Sequence, residues 1–431
     1  MPSTGELHAD CLAPPEAGGT RDAPLRILLL SQFYPPDVGG IELHVRTLAQ
    51  GLADRGHEVL VAMIATAAEG PGERLDGDVR VVALQGAVQR IGFLFTTERR
   101  HAIPLADPEL KRGLRRVAAE FRPDIVHAHN WIGRSFVPLK EEIGVPYLVS
   151  LHDSGRICTQ ARMMYRGVEL CTGPSVRRCL SCCAVQFGAL KGSVTYLGNR
   201  IARGSEAEAV DLFLPVSSAI AESNHLAEDG LPFQVVPNFA VDPLPLQQSG
   251  DPRLAALPDE PYLLQVGDVV RDKGVHVLFE AYRRLTSPPP LVLIGRIDEQ
   301  TKRLLPPHVV SVGAWPHDLV LEAWDRSLLG TMPSLCLDAC PTVTIEAMAA
   351  SRPVVASALG GLLDQVIDGQ TGLLVPAGDS VALGNAIQEL VSDPGRCARM
   401  GAAARRRFEA DFEAGRVIDR IEAVYCAQLG R

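Results

Sequence analysis

The sequence predicts an α/β fold with two parallel-sheet domains, and three observations predict it. Short apolar runs of strand length alternate with stretches long enough for crossover helices in both halves of the chain. A proline-rich, polar segment separates the halves, and the first apolar run ends in a glycine-bearing loop followed by an amphipathic helix. The length of 431 residues is too great for one ordinary core and suits two.

Residues 26–30, RILLL, read as a buried strand leading into the loop SQFYPPDVGG, after which IELHVRTLAQGLADRG places apolar residues at helical spacing. HEVLVAMI, DIVHAH, PYLVSL and DLFLPVS continue the strand series, so residues 25–238 are expected to form an N-terminal Rossmann-like domain. Prolines and polar residues make 239–260 the linker. A second series, YLLQVG, LVLIG, VVSVG, LLGTMPS, PVVAS and GLLVP, defines a C-terminal Rossmann-like domain over 261–410. In 411–431, Phe412, Val417, Ile421, Val424 and Tyr425 recur at helical spacing, predicting a helix that packs back on the N-terminal domain. Residues 1–24 are rich in Pro, Gly and Ala and offer little to bury, which predicts a disordered leader.

Hydrophobic residues at 46% and charged ones at 22% are those of a globular chain, and its apolar runs are far shorter than a membrane span. The N-terminus has no basic start followed by an apolar stretch, so a cytoplasmic protein is expected. A formal charge of -9 argues against nucleic acid as a partner. The basic run from Arg99 to Arg116, with Lys111, Arg112 and Arg115, is the candidate for peripheral contact with an anionic membrane, although such a run is more often a solvated helix face.

Two sheets of this kind facing each other form a cleft at the C-terminal ends of their strands, where open α/β folds bind ligands. Gly39 and Gly40 close the first such loop and leave room for a ligand beside a helix start. In VGDVVRDKG, Gly267 and Gly274 bracket Lys273, a cation placed to neutralise a diphosphate leaving group. Asp338 lies in a loop eight positions before Glu346, and Pro341 suits the first turn of the helix carrying Glu346. The amides of Thr342, Val343 and Thr344 then lie unpaired in that first turn, able to bind phosphate. His152 ends an apolar strand and points to the cleft, whereas His127 and His129 share one strand face and read as structural.

From Arg26 to about Leu429 the chain resembles the retaining glycosyltransferases of family 4, of GT-B fold, through PPDVGGIE, DIVHAHN, SLHD, GDVVRDKG, the segment from Asp338 to Glu346, and ALGGLLDQVIDGQTGLLV. The resemblance implies that Gly40 faces the donor diphosphate, His152 contacts the transferred sugar, Lys273 pairs the phosphates, Glu346 grips the ribose and Asp338 the sugar hydroxyls. Backbone groups of Val312 and Gly313 are implied to read the nucleobase. It further implies a metal-independent transfer of a hexosyl group from a nucleotide sugar, UDP preferred and GDP the other option. Acceptors of the implied kind are a saccharide, a lipid-linked glycan or a small metabolite.

Three positions depart from the family pattern. Asp338 replaces the first Glu of the Glu-x7-Glu pair, Asp364 replaces another Glu, and Asp268 stands where a diphosphate-binding Arg is usual, with Arg271 the nearest substitute. Two alternatives stay open: a GT-B nucleotide-sugar epimerase, and a weakly active nucleotide-sugar-binding scaffold, the latter motivated by Asp268 and Asp338. Separately, Cys158, Cys171, Cys179 and Cys182 crowd into an insertion at about 155–190. Cys179 and Cys182 form a Cys-x2-Cys pair while Cys158 and Cys171 are loosely spaced; four thiolates could close a tetrahedral zinc site, and free thiols packed as small apolar groups are the other reading.

Overall fold

The protein is described by a computed structural model covering residues 23–36, 39–66, 70–87, 102–246 and 248–431. The predicted leader, apart from its last two residues, lies outside the described residues, as do Cys11 and the start of the basic run at Arg99.

The chain divides into two compact units, one of Met1–Arg166, Cys171–Pro237 and Val417–Arg431, the other of Gly167–Leu170 and Asn238–Arg416. In the first, a seven-stranded sheet runs in the order β3-β4-β2-β1-β5-β6-β9. Its strands are β1 (Arg26–Ser31), β2 (Glu58–Ile64), β3 (Gly72–Asp76), β4 (Val79–Leu84), β5 (Ile125–His129), β6 (Tyr147–Leu151) and β9 (Leu212–Pro215). All pairings are parallel except that of the edge strand β3 with β4. Between β6 and β9 lie the two-residue strands β7 (Met164–Tyr165) and β8 (Glu169–Leu170).

Helices α1 (Gly40–Asp54), α2 (Pro108–Phe121), α3 (Lys140–Ile143), α4 (Val176–Phe187), α5 (Ala189–Ala209) and α6 (Ser218–Ser223) follow in this unit. The central strands β1 and β5 are buried almost throughout, which is why they read as continuous apolar runs rather than alternating ones. One sheet face packs Leu110, Leu114 and Phe121 of α2 with Phe136, Tyr147 and Phe213. Val45, Leu48 and Leu52 of α1 are fully buried, as are Val417 and Tyr425 of the chain's last helix. That helix and α1 approach so closely that a side chain at Gly51 would overlap Ile418.

The second unit carries a six-stranded sheet in the order β12-β11-β10-β13-β14-β15, parallel throughout. Its strands are β10 (Tyr262–Val266), β11 (Leu291–Ile294), β12 (Val309–Gly313), β13 (Ser327–Met332), β14 (Val354–Ser357) and β15 (Gly372–Val375). The helices are α7 (Val275–Tyr282), α8 (Glu299–Lys302), α9 (His317–Arg326), α10 (Thr342–Ala349), α11 (Leu362–Gln365), α12 (Ser380–Ser392) and α13 (Pro394–Arg407). A last helix, α14 (Ala414–Gln428), follows.

Both faces of this second sheet are covered, as a parallel sheet requires. Leu278 of α7, Leu383 and Ile387 of α12 and Met400 of α13 fill one core; Val320 and Trp324 of α9, Ala347 of α10 and Leu362 of α11 fill the other. The central strand β10 lies between β11 and β13, so the loops that follow these three strands are held side by side.

Candidate active site

The sequence-predicted residues form two groups, one in each unit. In the second unit the loop after β10 passes through a short turn, Arg271–Lys273, into Gly274. Gly274 has φ of 71°, and a Cβ there would overlap the Pro333 carbonyl oxygen, so only glycine lets this loop press against the one after β13. The Asp272 carbonyl accepts from the amides of Leu335, at 2.8 Å, and Cys336, at 3.2 Å, which binds the two loops together. Lys273 is thereby set against Asp338: Nζ pairs with Oδ1, while Ser334 Oγ donates to Oδ2. Burial works against the Lys273 ammonium, but the Asp338 carboxylate outweighs it and the pKa is raised. Two residues assigned complementary ligand contacts, one cationic and one anionic, thus hold each other.

The Asp338 loop is fixed from its other side by the glycine pair of ALGG. A Cβ at Gly361 would overlap the Ala339 carbonyl oxygen, and the Gly361 amide donates to the Asp338 carbonyl at 2.7 Å. Gln365 Nε2 donates to the Pro341 carbonyl at 3.1 Å, anchoring the start of α10. Pro341 is the N-cap residue of α10 rather than part of its first turn, with ψ of 121°. In consequence the Thr344 amide is not free, because it donates to the Pro341 carbonyl at 3.2 Å. The expected row of three unpaired amides is corrected to Thr342 and Val343.

Glu346 sits buried on α10, with Oε1 bonded to His317 Nε2 at 3.0 Å and Oε2 buried without a hydrogen-bond partner. The hydrogen bond that His317 donates to Glu346 raises the His317 pKa, favouring imidazolium beside the carboxylate. His317 was not singled out from sequence, and its setting, AWPHDLV, contains no spacing that would have marked it. At the neighbouring strand ends, β10 and β11 pair Val266 with Ile294, which brings Asp268 and Arg296 together two residues further on. Their side chains form a fork, Nε to Oδ1 at 2.9 Å and Nη2 to Oδ2 at 2.6 Å. Arg296 and Asp268 thus neutralise each other at the surface, where the Arg296 side chain is 80% exposed, and Arg271, the substitute named from sequence, is exposed as well.

Gly267 has φ of 116°, and its amide donates to the Ile294 carbonyl. Val312 and Gly313 end β12, an edge strand, and the Gly313 carbonyl accepts from the Gly295 amide at 2.9 Å.

In the first unit, Gly39 is the N-cap residue of α1, and a Cβ added at Gly40 would meet nothing within 4 Å, so the backbone there borders open space. His152 follows β6, is 8% exposed, and its Nε2 lies 2.9 Å from His129 Nδ1. His127 is structural, bonded to Tyr425 Oη at 2.7 Å and Ser150 Oγ at 2.8 Å. His129 Nδ1 bonds to His152, while its Nε2 is buried without a hydrogen-bond partner. His44 of α1, missed from sequence, joins them, and the ligand nitrogens of His44, His129 and His152 all lie within 4.8 Å of one another. Burial lowers the pKa of His44, His127 and His129, that of His127 to about 3, so these rings are neutral near pH 7. A metal ion at this trio would have to break the His129–His152 hydrogen bond, since a shared proton occupies one of the two nitrogens.

Cys158, Cys171, Cys179 and Cys182, together with Cys183, line one cavity of about 30 Å³ inside the first unit. All are free thiols, and the Cys182 sulfur accepts from the Arg166 amide at 3.1 Å and Gln160 Nε2 at 3.0 Å. Among the described residues, the histidine trio is the one group of three or more His, Cys, Asp or Glu side chains gathered closely enough to share a metal ion.

Two parallel α/β sheets, with a lysine, two carboxylates and a helix start gathered at strand ends of the second, define a glycosyltransferase of GT-B type. A glycosyl transferase 4-like domain matches residues 39–184 and the glycosyl transferases group 1 domain matches residues 251–407. The chain belongs to the family 4 glycosyltransferases. It is 29% identical over 430 residues to a glycogen synthase of Mycobacterium tuberculosis (strain CDC 1551 / Oshkosh), covering 94% of this chain and 95% of the relative. A D-inositol 3-phosphate glycosyltransferase of Arthrobacter sp. (strain FB24) is 29% identical over 388 residues, covering 85% of each. Among solved structures, sucrose-phosphate synthase from Thermosynechococcus elongatus superposes with a TM-score of 0.70 at 23% identity, covering 94% of this chain and 99% of that one. Anabaena HepE in complex with UDP-glucose gives a TM-score of 0.65 at 17% identity, covering 93% and 99%.

Proposed function

We propose that the chain transfers a hexosyl group from a nucleoside-diphosphate sugar, UDP-linked in preference to GDP-linked, to an acceptor hydroxyl with retention at the anomeric carbon and without a bound divalent ion. The observation that carries this reading is the Lys273–Asp338 pair, held by two interlocked loops at the entrance to the helix that bears Glu346. An ammonium so fixed stabilises the negative charge that develops on a departing diphosphate, as a divalent ion otherwise would. In the reaction the anomeric carbon–phosphate oxygen bond breaks, the acceptor oxygen bonds to that carbon from the same face, and its proton passes to the diphosphate. Glu346 Oε2 has the lone pairs to accept from ribose hydroxyls while Oε1 stays with His317. Upon donor entry, Asp338 exchanges Lys273 for sugar hydroxyls, and Lys273 turns to the phosphates. HepE, which shares the fold and was solved in complex with UDP-glucose, supports the uridine preference. His152, oriented by His129, positions the sugar.

Thermal shift with UDP, GDP and their sugars tests the donor, because a ligand that binds only the folded state raises the melting temperature. UDP-sugars are expected to give the largest rise and to be turned over to UDP in the presence of chelator, with product NMR showing the donor's anomeric configuration. An inverted product, or turnover abolished by chelator and restored by a divalent ion, overturns the mechanism.

The cysteine cavity is proposed to hold a structural zinc, its sulfurs closing in to bonds of about 2.3 Å. Protein purified without chelator is expected to carry about one zinc per chain and to lose stability when the metal is stripped. Metal-free protein with an unchanged melting temperature argues for plain thiol packing instead.

A further inference from the structure

Helix α5 lies in the first unit with its amphipathic character reversed. Its inward face carries small and polar residues, Gly192, Gly198, Asn199, Ala202 and Glu206. Arg134, itself 3% exposed, holds this face from within: Nη1 donates to Asn199 Oδ1 at 2.7 Å, and Nε and Nη2 donate to the two Glu206 carboxylate oxygens at 2.9 and 3.1 Å. The opposite face, at positions three and four apart, carries Leu190, Val194, Leu197 and Ile201, exposed by 83%, 60%, 54% and 63%. Val185, near the end of α4, is 62% exposed. A helix whose buried side is fixed by an ion pair cannot roll to hide its apolar stripe, and a contiguous exposed stripe marks an interaction surface.

The charge around the stripe selects the partner. From Arg162 to Arg200 the sequence holds Arg162, Arg166, Arg177, Arg178, Lys191 and Arg200 against Glu169 as the one acidic residue, in a chain whose net charge is -9. Arg177 and Arg200 are exposed, and Lys191 and Arg200 stand on α5 to either side of the stripe. Pairing two copies through this face would bring like charges together, whereas an anionic bilayer accepts the apolar side chains and the basic rim at once. We propose that the outward face of α5 docks on an anionic lipid surface, laying Leu190, Val194, Leu197 and Ile201 into the headgroup boundary. Membrane contact is thereby placed on the cysteine-rich insertion rather than on the run ending at Arg116, and the proposal stands independently of the donor and the mechanism.

The test is co-sedimentation of the full chain with phosphatidylcholine vesicles with and without phosphatidylglycerol. Binding is expected to the phosphatidylglycerol vesicles only, to weaken as salt rises, and to drop by about tenfold or more in a Leu190→Gln, Leu197→Gln double variant. An Arg177→Ser, Arg200→Ser variant is expected to bind more weakly and with a shallower salt dependence. The substituted side chains face solvent, so melting temperature serves as the fold control. Equal binding to both vesicle types, or unchanged binding by the apolar double variant, overturns the proposal. So does a concentration-dependent dimer that the double variant abolishes while vesicles fail to bind, which would assign the face to a second copy.

Discussion

Lys273→Met is expected to lower kcat/KM for donor turnover by about 10²–10³-fold while shifting the melting temperature little. Methionine keeps most of the lysine stem, and the Gly274–Pro333 approach that shapes the loop is untouched. The ammonium, paired with Asp338, is what the variant removes. Its loss leaves the departing diphosphate with the helix start for compensation. The measurement is steady-state turnover with the best donor, alongside the nucleoside diphosphate Kd. A loss below about threefold in kcat/KM would falsify the assignment of Lys273 to the leaving group.

Mild acid is expected to destabilise the protein steeply. His44, His127 and His129 are buried and neutral, with pKa values lowered chiefly by burial. Unfolded, each takes a proton near pH 6.5, so the unfolded state binds more protons than the folded one below that value. Their contribution is fully present above pH 6.5 and is lost as pH falls toward the folded value, which for His127 is about 3. All three act in the same sense, so stability falls as pH drops below about 6.5.

His317 works in the opposite sense, because Glu346 raises its pKa, but it is one group against three. The lowered carboxylates Asp76 and Asp242 lose their contribution only below the ordinary aspartate range, while Asp153, whose pKa burial raises, works with His317 against the three. Melting curves at pH 7.5, 6 and 5 read the effect, and His127→Gln should flatten it. A melting temperature unchanged between pH 7.5 and 5 would rule out the buried neutral cluster.

Both sheets were legible in sequence because their strands are buried on two faces and therefore stand out as uninterrupted Leu, Ile and Val runs between glycine turns. Lys273, Asp338 and Glu346 were legible for a related reason: each sits at a strand end or a helix start, where local pattern fixes position. What escaped were partnerships across the sheet. Arg296 meets Asp268 only because β10 and β11 pair in one register. His317 reaches Glu346 from a helix 29 residues earlier, and His44 reaches His152 from α1. Pairings of this kind depend on packing angles that no local spacing encodes. The Thr344 amide was misjudged on a finer point, since placing Pro341 one step outside α10 gives that N–H a carbonyl to bond.

The closing helix has a consequence for biosynthesis. Tyr425, which completes the hydrogen bonding of His127 in the first sheet, is encoded 298 residues downstream of it. Everything belonging to the second sheet must leave the ribosome before that hydroxyl is available, so the earlier-made half waits with the ground beside Gly51 and His127 uncovered until its final piece arrives. A fragment ending before Val417 should accordingly need chaperone help or aggregate, however complete its own strands are.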